Sequence, residues 1–301
     1  MKGLTASVRT WAEMIKLSHS VFALPFALTA AFLAGRNIPD LHRPHWGQLG
    51  LVVVCMVAAR SVAMTFNRIA DAGIDARNPR TQARPLPAGK LSMTAAWVFF
   101  ATCVAAFALG CVLFRVCFDN PWPIRLCGPV LVYLCAYSYS KRITHLSHVY
   151  LGSAIAFSPV AAWIAVHPPS LGLPAFVLMA AVALWITGFD IIYACQDIDI
   201  DRTEGLHSLP SRLGAGPALW IARTCHLLTV VLLVVLAASA GLGWVYLIGV
   251  AIVAVLLTIE NRLVKPYDLS RVNVAFFTIN GVVSLVLGAL AIADILLGMP
   301  I

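Results

Sequence analysis

Seven of the 13 carboxylate side chains of this chain sit in two short windows. The first, NRIADAGIDARNPRTQARPLPAG from Asn67 to Gly89, spaces Asn67, Asp71 and Asp75 by four residues. The second, GFDIIYACQDIDIDRTEG, holds Asp190, Asp197, Asp199, Asp201 and Glu204. At about 100° per residue, Asn67, Asp71 and Asp75 drift only about 80° around a helix; Asp190, Asp197 and Asp201 fall within about 40°, and Asp199 points nearly opposite. Carboxylates gathered on one face repel, and in apolar surroundings they protonate unless cations lie between them. Hard oxygen donors in small number suit Mg²⁺, which keeps several waters and bridges one or two carboxylates to a substrate phosphate. Asn67, Asp71, Asp75, Asp197 and Asp201 are therefore candidate metal ligands, with a diphosphate as the missing partner. Arg77, Arg80, Arg84, Lys141 and Arg142 offer cationic donors for its oxygens.

The elements that must position these groups are membrane spans. The chain has 301 residues, 60% hydrophobic and 11% charged, with mean hydropathy +0.88, too apolar for a soluble globular domain. Nine stretches are long and apolar enough to cross roughly 30 Å of hydrocarbon as helices: 17–35, 48–66, 94–114, 122–140, 146–166, 172–195, 217–238, 243–260 and 274–297. With a cytoplasmic N-terminus, 16 of the 21 Lys and Arg residues fall on the cytoplasmic side, together with both acidic windows. Only Arg36, Arg43, Arg115 and Arg125 lie outside, and Arg60 falls within the second stretch, where a guanidinium is costly without a partner. The basic balance of +8 is thus mostly topological, and cations that flank apolar spans face headgroups better than nucleic acid.

The N-terminus imitates a signal peptide but is long and mixed before its apolar run, so it reads as an interfacial helix leading into an uncleaved span. The eight cysteines lie mostly inside apolar stretches, with neither CxxC pairs nor zinc spacing, and read as small core residues. ARPLPAGKLS after the first acidic window and HSLPSRLGAG after the second form a weak internal repeat. It suggests one domain over 1–301, with four-helix halves at 17–140 and 146–260 and a ninth helix at 274–297. Acids at a membrane interface can also be solvated helix ends, and the run LVYLCAYSYSKRITHLSH, with Trp163, Trp185 and Phe189, can be belt and packing. Two acid ladders on one side beside basic loops favour a metal–diphosphate site.

The chain resembles the UbiA-type intramembrane aromatic prenyltransferases, whose pattern NxxxDxxxD reads here as Asn67, Asp71, Asp75 and whose DxxxD reads as Asp197, Asp201. RPLPAG, YSYSKRITHLSHVYLG and DIIYACQD also match in order, so the resemblance covers most of the chain. It implies an all-α integral membrane fold of nine transmembrane helices in a single bundle, with a central cavity and a cytoplasmic cap. It implies Mg²⁺ on the ladders, a polyprenyl diphosphate donor and prenylation of a small aromatic acceptor at carbon, in a bacterial inner membrane with the site on the cytoplasmic side. Arg77, Arg80, Lys141 and Arg142 become diphosphate contacts; Asp190 and Tyr193 take a family position near the acceptor or reacting carbon. Arg60, two helical turns before Asn67, becomes the receiver of an acceptor carboxylate. Arg68 departs from the pattern, since many relatives carry an acid directly after the asparagine.

The acceptor implied is a 4-hydroxybenzoate-type ring of quinone biosynthesis; HSVFALPFAL and HSLPSRLG also resemble a subgroup with members linked to a futalosine-derived menaquinone precursor. No obligate protein partner is evident. An ion-coupled secondary transporter is the reading from another class, but it calls for acids near the bilayer midplane, and these lie at span ends. A lipid phosphotransferase would also use paired Asp and Mg²⁺, but its dense signature is missing.

Overall fold

The computed structural model describes residues 10, 11, 14 and 22–298, and among them the secondary structure is helical. In chain order the helices are α1 (Leu24–Gly35), α2 (Trp46–Ala70), α3 (Ala72–Arg77), α4 (Met93–Phe118), α5 (Trp122–Ile143), α6 (Ser147–Val166) and α7 (Leu173–Ala194), followed by α8 (Ile198–Thr203), α9 (Leu209–Leu213), α10 (Ala215–Ala240), α11 (Trp244–Leu263) and α12 (Asn280–Leu297). Each expected apolar stretch carries a helix. Seven are long and apolar enough to cross a membrane by length and composition; α1 is short, and α5 is diluted by Arg125, Pro129 and its YSYSKR end. The expected interfacial helix and the start of the first span lie mostly outside the described residues.

Lipid dictates this economy, because it offers a peptide group no hydrogen-bond partner and a helix satisfies its own. The same solvent permits what water would not. Leu227, Leu228, Val231, Val234 and Val235 of α10 are all exposed, a continuous apolar flank suited to acyl chains. Exposed tryptophans mark several helix ends, with Arg43 over Trp46, Arg125 over Trp122 and Arg223 over Trp220, the amphipathic pairing favoured at headgroup depth. All eight cysteines are free.

The chain gathers into two compact units, one containing Val53–Tyr139 and the other containing Val21–Val52 with Ser140–Ile301. In the first, Cys111, Phe107 and Cys127 pack around Ala58 of α2. In the second, α7 is the central element, pressed against α6 on one flank and α10 on the other. Small residues make this closeness possible. A Cβ on Gly152 of α6 would stand 2.4 Å from Thr187 Oγ1 and 2.5 Å from Ala183 O; one on Gly188 would stand 2.4 Å from the His226 ring.

Several polar groups buried in this unit are tied to one another. Asp294 of α12, fully buried, accepts from the backbone N–H of Gly243 (2.8 Å) and Tyr246 (3.2 Å), capping α11 from a different helix. Asn280 is a second node. Its Oδ1 accepts from Trp185 Nε1 (2.7 Å), and its Nδ2 donates to Glu260 Oε1 (2.8 Å) and to Ala275 O (3.0 Å). Ala275 lies in a π-helical turn, Val274–Ile279, so the side chain serves a carbonyl at the irregular turn. Asn280→Leu removes three bonds at once, each orphaned group costing about 1–3 kcal/mol. The purified variant is expected to unfold in detergent several degrees below the wild type; equal melting would show that the node does not hold the unit together.

Candidate active site

The first acidic window begins on α2. Arg60 stands within that helix, and its Nε is buried without a hydrogen-bond partner. Two turns on, Asn67 Nδ2 donates to Asp71 Oδ2 at 2.8 Å, so the spacing of four brings these two together. The helix breaks at Asp71, whose backbone (φ −98°, ψ 5°) leads into the six-residue α3. Asp75, buried on α3, turns both oxygens to Arg84 Nη1, at 2.7 and 2.8 Å, with Arg68 Nη1 at 3.9 Å. Arg68 Nη1 also lies 3.5 Å from Asn67 Oδ1. Arg77 and Arg80 are exposed around a turn built on Asn78, whose Oδ1 accepts from the Arg80 amide (2.9 Å).

The second window is built in the same way from different residues. The long helix α7 ends in a tight 3₁₀ turn, Cys195–Asp197, and Asp197 (φ −106°, ψ 8°) leads into the six-residue α8. Asp201, like Asp75, is the fourth residue of its short helix and is buried. It too faces a cation, Lys141 Nζ at 4.0 Å, but its Oδ2 has no hydrogen-bond partner. Asp199 is exposed, as the helical arithmetic requires, and Arg142 is exposed at the end of α5. Two turns before Asp197, Asp190 Oδ2 lies 2.6 Å from His148 Nδ1, and Tyr193 stacks on Phe276 of the π-helical turn at 4.3 Å between ring centres.

The donors in both windows are carboxylate and amide oxygens, the chemistry of Mg²⁺ rather than of zinc. The orphaned Asp201 Oδ2 fits a hard cation, whereas at Asp75 a metal has to share or displace Arg84. Among the described residues no three His, Cys, Asp or Glu side chains close round a metal position. Few protein ligands per ion is the usual arrangement where substrate phosphate completes the shell.

A model of the UbiA prenyltransferase family matches residues 23–282. The chain belongs to the UbiA prenyltransferase family. The 4-hydroxybenzoate octaprenyltransferase of Nitrosococcus oceani is 30% identical over 287 residues, 94% of this chain and 96% of that one. The apo structure of a UbiA homologue from Aeropyrum pernix superposes with a TM-score of 0.81 at 30% identity, over 92% of this chain and 98% of that one. A UbiA homologue from Archaeoglobus fulgidus bound to GPP and Mg²⁺ shares the fold, with a TM-score of 0.72 at 16% identity over 95% and 99%. This UbiA-family chain is accordingly a prenyltransferase and an integral membrane protein.

Within the UbiA frame, two residues carry more than the spacing of acids conveys. Arg84 is the direct partner of Asp75, and His148 is the partner of Asp190. Trp163, Trp185 and Phe189 are packed core, at 4%, 1% and 2% exposure. The Arg84–Asp75 pair also pins the segment between α3 and α4 to α3. Breaking one side of a buried pair costs about 3–5 kcal/mol, so Asp75→Asn is expected to speed tryptic cleavage after Arg77, Arg80 or Arg84 at least several-fold. Unchanged cleavage, read by mass spectrometry of the fragments, would show that the pair does not hold this segment.

Proposed function

We propose that this enzyme transfers a polyprenyl group from a polyprenyl diphosphate to a ring carbon of a 4-hydroxybenzoate-type acceptor, with Mg²⁺ as cofactor, in quinone biosynthesis. The relatives named 4-hydroxybenzoate octaprenyltransferase support the acceptor class, and the GPP- and Mg²⁺-bound homologue supports the donor and the ion. The single observation that carries the acceptor assignment is Arg60. A buried guanidinium N–H with no partner, two turns from Asn67 and inside an apolar helix, is a receptor for a carboxylate.

The chemistry divides among the residues already placed. Asn67, Asp71, Asp75, Asp197 and Asp201 would hold Mg²⁺, which would supply positive charge to neutralise that developing on the departing diphosphate. Arg77, Arg80, Lys141 and Arg142 hold the diphosphate oxygens. As the allylic carbon–oxygen bond breaks, diphosphate leaves with the electron pair, and the ring attacks the allylic cation to form the new carbon–carbon bond. The ring then releases a proton, which Asp190 accepts beside Tyr193, restoring aromaticity. We further propose nine spans forming one domain in a bacterial inner membrane, with both acidic windows on the cytoplasmic side, supported by the 16 of 21 cations on that side.

The test is incubation of purified protein with Mg²⁺, a polyprenyl diphosphate and a panel of aromatic acceptors, read by mass spectrometry. Carbon-prenylated hydroxybenzoate and free diphosphate are expected, with loss of product in EDTA. Asp71→Asn or Asp197→Asn is expected to cost about a hundredfold or more in rate, and full activity in either would sink the assignment. Arg60→Ala is expected to raise the acceptor KM at least tenfold for carboxylated rings, while leaving the KM for polyprenyl diphosphate near that of the wild type; equal acceptor KM values would remove Arg60 from the acceptor site.

A further inference from the structure

Ser208 and Leu209 share one peptide unit, and two histidines grip its two edges. His145 Nδ1 lies 3.2 Å from Ser208 O, and the Leu209 N–H reaches His148 Nε2 at 3.4 Å. A carbonyl only accepts and an amide N–H only donates, so the peptide dictates the protonation of both rings. His145 carries a proton on Nδ1. His148 is unprotonated at Nε2, which places the proton of its neutral ring on Nδ1, 2.6 Å from Asp190 Oδ2. His148 is fully buried while the Asp190 side chain is 16% exposed, so the imidazole stands behind the carboxylate and leaves it facing outward.

The neighbouring backbone extends this arrangement. Four consecutive residues each bond a different part of the second acidic window and its surroundings: Leu206 N–H to Asp201 O (2.7 Å), His207 N–H to Lys141 O (2.6 Å), Ser208 O to His145 and Leu209 N–H to His148. Lys141 and Asp201 belong to the diphosphate side of the proposed reaction and Asp190 to the acceptor side. The segment Leu206–Leu209 therefore touches both.

We infer that His148 is a positioning residue for prenyl transfer: it donates Nδ1–H to Asp190, holding that carboxylate in its orientation, and it does so in the tautomer set by the seated Ser208–Leu209 peptide. The inference rests on the proposed role of Asp190 as proton acceptor. It makes a specific demand on the residue at 148, which must offer one donor and one acceptor on opposite sides. Glutamine meets that demand with its amide; leucine fills the space and offers neither.

The experiment compares wild type, His148→Gln, His148→Leu, Leu209→Pro and the double variant carrying both His148→Leu and Leu209→Pro for kcat, KM and thermal unfolding in detergent. Leu209→Pro deletes the N–H at the first position of α9, where proline is tolerated, after a Ser208 already extended (φ −138°, ψ 159°). His148→Leu is expected to lower kcat about 10- to 100-fold with the KM for polyprenyl diphosphate within about twofold, and His148→Gln to recover most of that loss. Leu209→Pro is expected to lower kcat in the wild-type background but to add nothing in the His148→Leu background. Wild-type kcat in His148→Leu, a His148→Gln variant as poor as His148→Leu, fully additive losses, or a loss accounted for by unfolding each overturn the inference. A wild type that forms no prenylated product overturns the proposed function instead.

Discussion

Hydrocarbon offers no hydrogen-bond partner to a peptide group or a polar side chain, and most of this structure follows from that constraint. It makes the spans helical, and it requires each polar group that sinks below the headgroups to find a partner inside the protein. Asp294 caps a helix not its own, and Asn280 makes three bonds, to Trp185, Glu260 and an irregular turn. Several buried side-chain atoms nonetheless have no hydrogen-bond partner, Glu260 Oε2 and His226 Nε2 among them. Arg60 Nε and Asp201 Oδ2 are such atoms, one inside α2 and one in an acidic window. A ligand group bound at such an atom removes a desolvation penalty already incurred.

The two acidic windows solve the same electrostatic problem twice. Each interrupts a long helix at an aspartate with nearly identical backbone angles, then starts a six-residue helix whose fourth residue is a buried aspartate opposite a cation. The interruption matters physically. A continuous helix would carry the second carboxylate further along the same rod, whereas the break allows it to be drawn in against Arg84 or Lys141. In the first window Arg68 adds a second cation near Asp75, so two guanidinium groups face that carboxylate, while Asp71 accepts from Asn67.

Hydropathy made seven spans legible, since length and apolarity are sufficient where the solvent is lipid; apart from the first stretch, where the helix starts only at Leu24, the helix boundaries follow the apolar stretches within a few residues. The acid ladders were legible too, because a spacing of four survives a mild break: Asn67 still reaches Asp71, and Asp199 still points to water. What spacing could not convey were partners distant in the chain. Arg84 meets Asp75 across a folded loop, and His148 meets Asp190 across 42 residues, neither of which has a local pattern. The histidine was visible only inside a matching phrase, YSYSKRITHLSHVYLG, as one scattered imidazole among eight. The aromatic residues of α7, Trp185 and Phe189, read from spacing as packing, are packed core, and the Trp185–Asn280 bond shows what the indole adds there.

The glycine contacts on either flank of α7 bear on how freely this helix can move. Gly152 packs directly on Thr187 and the Ala183 carbonyl, and Gly188 packs directly on the His226 ring, so the rod that carries Asp190 and Tyr193 is closely held on both flanks and has little slack in which to turn or slide. Tyr193 on that rod meets Phe276 and Phe277 of the π-helical turn, so the helix that is fixed by its glycine contacts also fixes the seat of these two rings.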